Sequence, residues 1–399
     1  MTDWQKLDEQ YVMKTYNRLP IVVEKAIGNK MYDTNGNEYL DLFTGLAVNI
    51  IGHSHPKILQ AIKKQSENFL HISNVFYNKP AIELAKKLVD NSIKGKVFFV
   101  NSGAEATESA VKVLHKFKIN NNIEREGIVV LKKSFHGRTL GALKLTRQPN
   151  VYQDFPVPNY PVYEVEPENI AALEAIFAKE KPLAIIMEPV LGSGGVKPLS
   201  VDYLQKVEQL CRQYEVLLGM DEIQTGVGRT GNLFAYQHAN ITPDLILFAK
   251  GIGGGLPLGG IIAGEKLQDM FKPGDHGTTF APSPLSAALG NAVIDELLAG
   301  QMEKGKSQAQ KLWNEIQTLK DKNPSIKELR GKGMMIGIVM NLEAAAVSKI
   351  QKTLLDKGIM VDVTQQTIIR LLPPLTLTDE EIKFFIDTFS PLLEEVANV

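Results

Sequence analysis

The sequence has almost no cysteine and no excess of either charge. A single cysteine, Cys211, occurs in 399 residues, which excludes an internal disulfide and fits a reducing compartment. The 44 basic residues nearly balance the 45 acidic ones, so a net charge of −1 gives no electrostatic reason to expect nucleic acid or a membrane as a partner. No hydrophobic run approaches the roughly 18 residues that span a bilayer, and the polar start MTDWQKLDEQ does not resemble a signal peptide. We therefore expect a cytoplasmic protein.

Helix and strand patterns alternate through most of the chain. From residue 80 to about residue 265 they predict an α/β fold, with a mainly parallel sheet covered by helices on both faces. From about residue 330 the pattern changes to a smaller α+β unit. The length predicts about two domains. We expect an N-terminal segment at 1–55 that packs with the small domain, a large domain at 56–300 and the small domain at 301–399.

Two short apolar runs each end in a charged residue. Residues 216–220 precede Asp221, and residues 245–249 precede Lys250. Such runs are typical of buried parallel strands, and the carboxyl ends of these strands hold ligands. A buried lysine can act as a nucleophile or base, and pyridoxal 5'-phosphate (PLP) forms a Schiff base with a lysine while its pyridinium nitrogen pairs with an aspartate. Taken alone, either residue is more simply explained as a polar end to its strand.

Two other predicted strands also end in candidate residues. The strand VFFV runs into Ser102, Gly103 and Glu105, where Ser-x-x-Glu predicts a capping box and the first helix amides offer an anion site. After the strand IVVL, Phe135 is placed to stack on a flat ring and Arg138 to bind a carboxylate. The alternatives are an ordinary helix start and an exposed loop with a packed phenylalanine.

Two motifs point to other ligands but lack the required context. Residues 226–231 match GxGxxG, yet no helix is predicted directly after them and Asp244 precedes its strand, which argues against a dinucleotide site. His53 and His55 lie in a turn without acidic or cysteine partners at ligand spacing, so we expect turn residues and no metal site.

The motifs taken together resemble a known family over essentially the whole chain. In order they are YDTNGNEYLDLFTGLAVNIIGHSHP, FFVNSGAEATESAVK, SFHGRTLGAL, MDEIQTGVGRTG, LFAKGIGGGLPLGG, HGTTF and IIRLLPPL. This series is similar to the class III (ω-) aminotransferases, and most similar to their acetylornithine/ornithine branch. The resemblance implies the PLP-dependent transferase fold type I, with a mainly parallel, seven-stranded large domain and a smaller α+β domain.

The resemblance also implies roles for individual residues. Lys250 would carry PLP and move the proton, and Asp221 would pair with the pyridinium nitrogen. The further cofactor contacts would be Ser102, Gly103 and Ala104 at the phosphate, Phe135 and Ile223 on the ring, Gln224 at the phenolic oxygen, and Thr279 from the neighbouring subunit. The substrate contacts would be Arg138 for the α-carboxylate of an acylated ornithine, Arg370 for that of glutamate or 2-oxoglutarate, and Thr278 and Tyr16 nearby.

The implied protein is a homodimer with shared active sites. It would move the ω-amino group of N2-acetyl-L-ornithine to 2-oxoglutarate in arginine biosynthesis, with PLP as cofactor and small-molecule donor and 2-oxo acid as partners. The alternatives are another ω-aminotransferase, with ornithine, succinylornithine, N-acetyl-diaminopimelate, GABA or β-alanine as donor, a racemase or aminomutase, and a catalytically silent binding protein.

Two segments depart from the family pattern. Where the family has EPxxGEGG, this chain has EPVLGSGG, so Ser193 replaces a glutamate that pairs with the glutamate-binding arginine in the family. We expect Arg370 to keep an unpaired charge and to favour substrates that place a carboxylate beside it. HGTTF continues as APSPLSAA where the family usually has GGNPLACA, so the resemblance does not define the shape of this loop.

Overall fold

The computed structural model describes residues 3–397. The N-terminal elements are α1 (Trp4–Tyr11), β1 (Val23–Ile27), β2 (Lys30–Asp33), β3 (Glu38–Asp41) and α2 (Thr44–Ala47). The central elements are α3 (Pro56–Ser66), α4 (Lys79–Asp90), β4 (Gly95–Val100), α5 (Gly103–Asn120), β5 (Ile128–Leu131), α6 (Leu140–Leu145), α7 (Pro149–Tyr152), β6 (Val162–Val165), α8 (Ile170–Glu180), β7 (Ala184–Met187), β8 (Val190–Leu191), β9 (Lys197–Pro198), α9 (Val201–Gln213), β10 (Leu217–Asp221), β11 (Leu245–Phe248), β12 (Gly259–Gly264) and α10 (Pro284–Glu296). The C-terminal elements are α11 (Met302–Lys322), β13 (Ile326–Lys332), β14 (Met335–Met340), α12 (Ala344–Asp356), β15 (Ile359–Met360), β16 (Asp362–Thr364), β17 (Ile368–Leu371) and α13 (Asp379–Ala397).

The central sheet has seven strands in the order β4-β12-β11-β10-β7-β5-β6. Strand β12 runs antiparallel to both of its neighbours, and the other pairs are parallel. Strands β5, β7 and β11 are buried along their whole length, as expected for strands with helices on both faces. Along β11, Ile246 and Phe248 pack into one core cluster and Leu245 and Leu247 into another. The prediction of a mainly parallel, seven-stranded α/β sheet is confirmed.

The N-terminal strands pair in sequence order as an antiparallel meander, and a short C-terminal strand joins them. Their sheet has the order β1-β2-β3-β15, with β15 parallel to β3. His53, considered above as a metal ligand, places Nε2 2.7 Å from Oδ2 of Asp41 at the end of β3. His55 caps α3, where its Nδ1 accepts a hydrogen bond from the Lys57 amide.

The C-terminal strands form a separate antiparallel sheet in the order β13-β14-β17-β16. The apolar run IMVDV at residues 359–363 favours a single strand, but the structure contradicts this expectation. The segment divides at Val361, because β15 pairs with β3 while β16 pairs with β17. Residues 359–364 therefore connect the N-terminal and C-terminal sheets. The domain division at residues 55 and 300 stays a prediction.

A buried arginine links the GxGxxG loop to the C-terminal sheet. Arg229, 1 % exposed, donates hydrogen bonds to the carbonyls of Met334 and Pro373. The loop leads into a 3-10 turn at Ala235–Ala239, so no α-helix directly follows the motif. Within residues 3–397, no helix is both long and apolar enough to cross a bilayer.

Candidate active site

The carboxyl ends of the adjacent strands β10 and β11 bring Asp221 and Lys250 to the same edge of the sheet. Asp221 is 3 % exposed. Its Oδ1 accepts a hydrogen bond from the Ile223 amide at 3.1 Å, and its Oδ2 lies 2.6 Å from Nδ1 of His136. The carboxylate is thus held in one orientation by two neighbours, as a carboxylate that pairs with a bound cation requires.

Lys250 begins a 3-10 turn directly after β11 and has a φ of +52°. A left-handed backbone costs a non-glycine residue roughly 1–2 kcal/mol, and such strain is concentrated at functional sites. The side chain is half-buried. Its pKa is lowered to about 8, mainly by desolvation; the charge of Asp221 opposes this shift and the charge of Arg370 adds to it. Lys250 is therefore an amine with substantial nucleophilic character near neutral pH.

His136 is a buried member of the site for which no role is predicted from the sequence. It is 1 % exposed, its amide donates to Thr146 Oγ1 at 3.1 Å, and its carbonyl accepts from Thr107 Oγ1 at 2.7 Å. Its Nε2 is buried and has no hydrogen-bond partner among the described residues. The sequence signal that could identify His136 as a site residue is its position beside Phe135, just after a buried strand.

Glu188 connects two loops around the site and was also missed. Its Oε1 accepts from the Phe135 amide at 2.9 Å, and its Oε2 accepts from the Gly192 amide at 3.1 Å. Burial raises the pKa of this carboxyl to about 7, and the Asp221 charge adds to the shift while His136 opposes it. Glu188 therefore fixes the loop that carries Phe135 against the loop that follows β7.

The start of α5 leaves two backbone amides available. Ser102 Oγ accepts from the Glu105 amide at 3.2 Å, but Glu105 Oε2 accepts from the Asn101 amide at 2.6 Å. The predicted capping box is therefore wrong in its second bond, because Glu105 reaches the residue before the cap. Within residues 3–397, the amides of Gly103 and Ala104 donate to no protein group. Free amides at a helix N-terminus favour an anion such as phosphate.

Two glycines permit the packing of Ile223 and Gln224. A Cβ at Gly103 would lie 2.9 Å from Ile223 Cγ2, and a Cβ at Gly192 would lie 1.8 Å from Gln224 Oε1. Any larger residue at these positions would displace the two side chains that follow Asp221. Gly103 and Gly192 thus hold Ile223 and Gln224 between α5 and the loop after β7.

The two predicted substrate arginines differ in their surroundings. Arg138 is exposed, and its guanidinium carbon lies 5.7 Å from the centre of the Phe135 ring. Arg370, on β17, is 5 % exposed, donates from Nε to Oδ2 of Asp362 at 2.8 Å, and places Nη2 2.6 Å from the same oxygen in an ion pair. The expectation that Arg370 keeps an unpaired charge is therefore wrong. Its counter-ion is Asp362 on β16. The pairing of β16 with β17 is not predictable from the sequence, because the apolar run that contains β15 and β16 resembles one strand.

Three predicted residues lie outside this group in the single chain. Thr278 Oγ1 accepts from Asn101 Nδ2 at 3.1 Å, beside the start of α5. Thr279 is exposed on the loop before α10, and Tyr16 is 73 % exposed. Neither of these two side chains makes a hydrogen bond within the described part of the chain. Of the other predicted residues, Ile223 donates from its amide to Asp221, and the charge of Arg370 acts on Lys250.

The residues present fit PLP. Lys250 offers an amine of low pKa for the aldehyde, Asp221 an oriented carboxylate for the pyridinium nitrogen, and Gly103 and Ala104 free amides for the phosphate.

In both sequence and fold, the chain is similar to known aminotransferases. Residues 11–393 match the family model described as aminotransferase class-III. An acetylornithine aminotransferase of Caldanaerobacter subterraneus subsp. tengcongensis is 40 % identical and covers 98 % of both chains. A succinylornithine transaminase of Salmonella typhimurium is 36 % identical, over 97 % of this chain and 96 % of its own. The solved ornithine aminotransferase of Toxoplasma gondii ME49 has a TM-score of 0.94 at 28 % identity, over 99 % of this chain and 95 % of its own.

Proposed function

The chain belongs to the class III aminotransferases, which are PLP-dependent enzymes of fold type I, and we propose that it transfers the ω-amino group of N2-acetyl-L-ornithine to 2-oxoglutarate in arginine biosynthesis. The observation that carries the proposal is the presence of two arginines near the site. Arg138 lies over Phe135, and the charge of Arg370 acts on Lys250. A donor and an acceptor that each carry an α-carboxylate match this pair.

The proposed cofactor contacts follow the geometry of the site. Lys250 would hold the aldehyde carbon of PLP, and Asp221 its pyridinium nitrogen. The remaining contacts would be Ser102, Gly103 and Ala104 at the phosphate, Phe135 and Ile223 against the ring, and Gln224 at the phenolic oxygen. When bound, PLP supplies an electron sink for the carbon that bears the amino group.

Lys250 is the proposed base. Its amine would remove and return the proton at the carbon that bears the transferred amino group. A pKa of about 8 places this amine close to the ambient pH, where a group can both accept and donate a proton efficiently. In the proposed roles, Arg138 binds the α-carboxylate of acetylornithine and Arg370 that of 2-oxoglutarate. Thr278 and Tyr16 are proposed to contact substrate.

A homodimer with shared sites is part of the proposal. Val75, Phe76, Tyr77 and Phe280 are 84, 68, 95 and 67 % exposed, and we call these four residues the apolar patch. Asn74 Nδ2 donates to the carbonyls of Thr278 and Ala281, which joins the two parts of the patch. An exposed apolar patch of this kind favours association with another protein surface. A second copy of the chain on this patch would bring Thr279 to the partner's phosphate site.

Two further assignments belong to the proposal. A cytoplasmic location is supported by the single cysteine, Cys211. The division into 1–55, 56–300 and 301–399 is supported by the separate C-terminal sheet and by the pairing of β15 with β3.

The donor is tested by mixing PLP-loaded protein with single amino donors and following the visible absorbance of the bound cofactor. Acetylornithine should change this absorbance at a much lower concentration than ornithine. The relative from Salmonella typhimurium makes succinylornithine the second candidate, to be titrated in parallel. A response only to GABA, β-alanine or an acylated diaminopimelate would contradict the proposed substrate but keep the aminotransferase. Arg138→Ala should raise the KM for the acylated donor far more than that for 2-oxoglutarate.

A further inference from the structure

Arg370 and Asp362 are cross-strand neighbours at the edge of the C-terminal sheet. Strands β16 and β17 run antiparallel, with Asp362 directly opposite Arg370. The side chain of Arg370 is 6 % exposed and that of Asp362 is 23 % exposed. Since the two residues are paired across adjacent strands, their side chains are direct neighbours on the same face of the sheet. This ion pair is therefore part of the sheet and does not depend on the position of a mobile loop.

The carboxylate occupies only one edge of the guanidinium. Nε of Arg370 donates to Oδ2 of Asp362 at 2.8 Å, and Nη2 lies 2.6 Å from the same oxygen. Nη1 is buried and has no hydrogen-bond partner among the described residues. A buried donor without a partner costs roughly 1–3 kcal/mol, which a ligand oxygen at this position would recover. The pair thus leaves Arg370 oriented, compensated in charge and with one donor available.

The loop that contains Ser193 contacts the same hairpin without supplying a charge. The Ser193 carbonyl accepts hydrogen bonds from Thr364 Oγ1 at 3.3 Å and from Gln365 Nε2 at 2.9 Å. These contacts place Ser193 close to β16, where a longer acidic side chain would approach Arg370. In this chain the negative charge comes instead from Asp362.

We propose that Asp362 determines substrate selection at Arg370 by serving as its permanent counter-ion. Asp362 holds the Nε/Nη2 edge, and Nη1 donates to the carboxylate of the 2-oxo acid. An ω-amino donor places no carboxylate at this position, and it binds without leaving an uncompensated buried charge, because Asp362 stays paired with Arg370. The inference rests on the proposed function, since it assumes that Arg370 binds the acceptor.

Asp362→Asn separates charge from orientation. The asparagine oxygen can still accept from Nε, but Arg370 would carry an uncompensated positive charge. Calorimetric titration of the PLP-loaded enzyme with glutarate, an unreactive dicarboxylate, should show binding about three- to tenfold tighter than in the wild type. The KM for the ω-amino donor should rise, with kcat changed less. Asp387→Asn removes an exposed carboxylate paired with Lys383 and is the matched control. It should change neither the glutarate affinity nor the KM for the ω-amino donor.

A second variant restores the charge from the other side. Asp362→Asn combined with Ser193→Glu should return the glutarate affinity towards the wild-type value, which a purely structural role of Asp362 does not predict. Equal glutarate affinities in the wild type and Asp362→Asn, with binding lost in Arg370→Ala, would overturn the role of Asp362 alone. Glutarate binding that survives in Arg370→Ala would overturn the assignment of Arg370 as well.

Discussion

Nδ1 of His136 lies 2.6 Å from Oδ2 of Asp221, and the two side chains are 1 % and 3 % exposed. The contact joins the loop after β5 to the end of β10. An ionised carboxylate only accepts hydrogen bonds, so Nδ1 must carry the proton in this pair. His136 therefore orients the carboxylate that would pair with a protonated pyridine nitrogen.

Replacing His136 with phenylalanine should slow turnover and leave PLP bound. Phenylalanine fills a similar volume but cannot donate to Asp221. The loss of a charge-assisted hydrogen bond, about 1.5–3 kcal/mol, predicts a fall in kcat of roughly ten- to a hundredfold. The measurements are kcat and the visible absorbance of the bound cofactor. His115→Phe is the control. His115 is half-buried against Tyr160, so this variant makes the same change of side chain at a histidine that does not contact Asp221. Wild-type kcat in His136→Phe would show that Asp221 needs no support from this side.

The reactivity of Lys250 should depend on two nearby charges. In cofactor-free protein, modification of Lys250 by an aldehyde should have its midpoint at about pH 8, because the neutral amine forms as the pH rises through its pKa. Arg370→Met removes a positive charge and should move the midpoint upwards, and Asp221→Asn removes a negative charge and should move it downwards. Peptide mapping after modification at several pH values gives the midpoints, with Lys250→Arg as the unreactive control. Shifts of the opposite sign would contradict the assigned causes.

The sequence predicts those parts of the site whose position is indicated by a pattern among neighbouring residues. Asp221 and Lys250 follow buried apolar runs, and adjacent parallel strands place the residues after such runs together. The cap at Ser102 was predicted from four consecutive residues, and only the partner of its glutamate was wrong. Short-range patterns therefore located the centre of the site.

The missed parts depend on contacts between distant segments. His136 reaches Asp221 across 85 positions, and Glu188 reaches Phe135 across 53. Asp362 lies only 8 positions from Arg370, but the pair forms because the chain leaves one sheet for another at Val361. Nothing in the apolar run around Val361 marks this change of sheet, so the pairing partner was not predictable from periodicity.

A buried glutamate beside the site should make stability depend on pH. Burial raises the pKa of Glu222 from 4.5 to about 7, although Thr225 Oγ1 and the Tyr236 amide donate to its carboxylate. The folded state then keeps a proton that the unfolded chain releases above about pH 4.5. Stability is therefore lost as the pH rises towards 7 and stays level above that value.

Glu222→Gln should reduce this loss of stability. Between pH 5 and pH 8, urea unfolding of the wild type should show a decrease to which Glu222 contributes on the order of 2–3 kcal/mol. The variant should retain the part of the pH-dependent loss of stability that comes from Glu188, whose pKa is also raised to about 7. The same pH dependence in Glu222→Gln and the wild type would show that Glu222 is ionised in the folded protein throughout this range.

Shared active sites predict that two inactive variants restore activity to each other. Lys250→Ala removes the amine from one subunit, and Thr279→Ala removes the proposed phosphate contact donated to the other. When the two are co-expressed equally, half of the dimers should be mixed, and each mixed dimer has one site with both residues intact. About a quarter of the wild-type sites should then be active, measured at a PLP concentration that leaves the Thr279→Ala homodimer mostly without cofactor.

The control for this complementation is the pair Lys250→Ala and Asp221→Asn. These residues end adjacent strands of the same chain, so no mixed dimer contains a site with both intact, and no activity should return. Activity in this control would show that co-expressed variants regain activity by a means other than a shared site. Absence of recovery with Lys250→Ala and Thr279→Ala, in mixed dimers confirmed by mass spectrometry, would mean that Thr279 acts within its own subunit. In that case the apolar patch of Val75, Phe76, Tyr77 and Phe280 would support only the association of two subunits. Association through the patch does not require Thr279 to reach the partner's site.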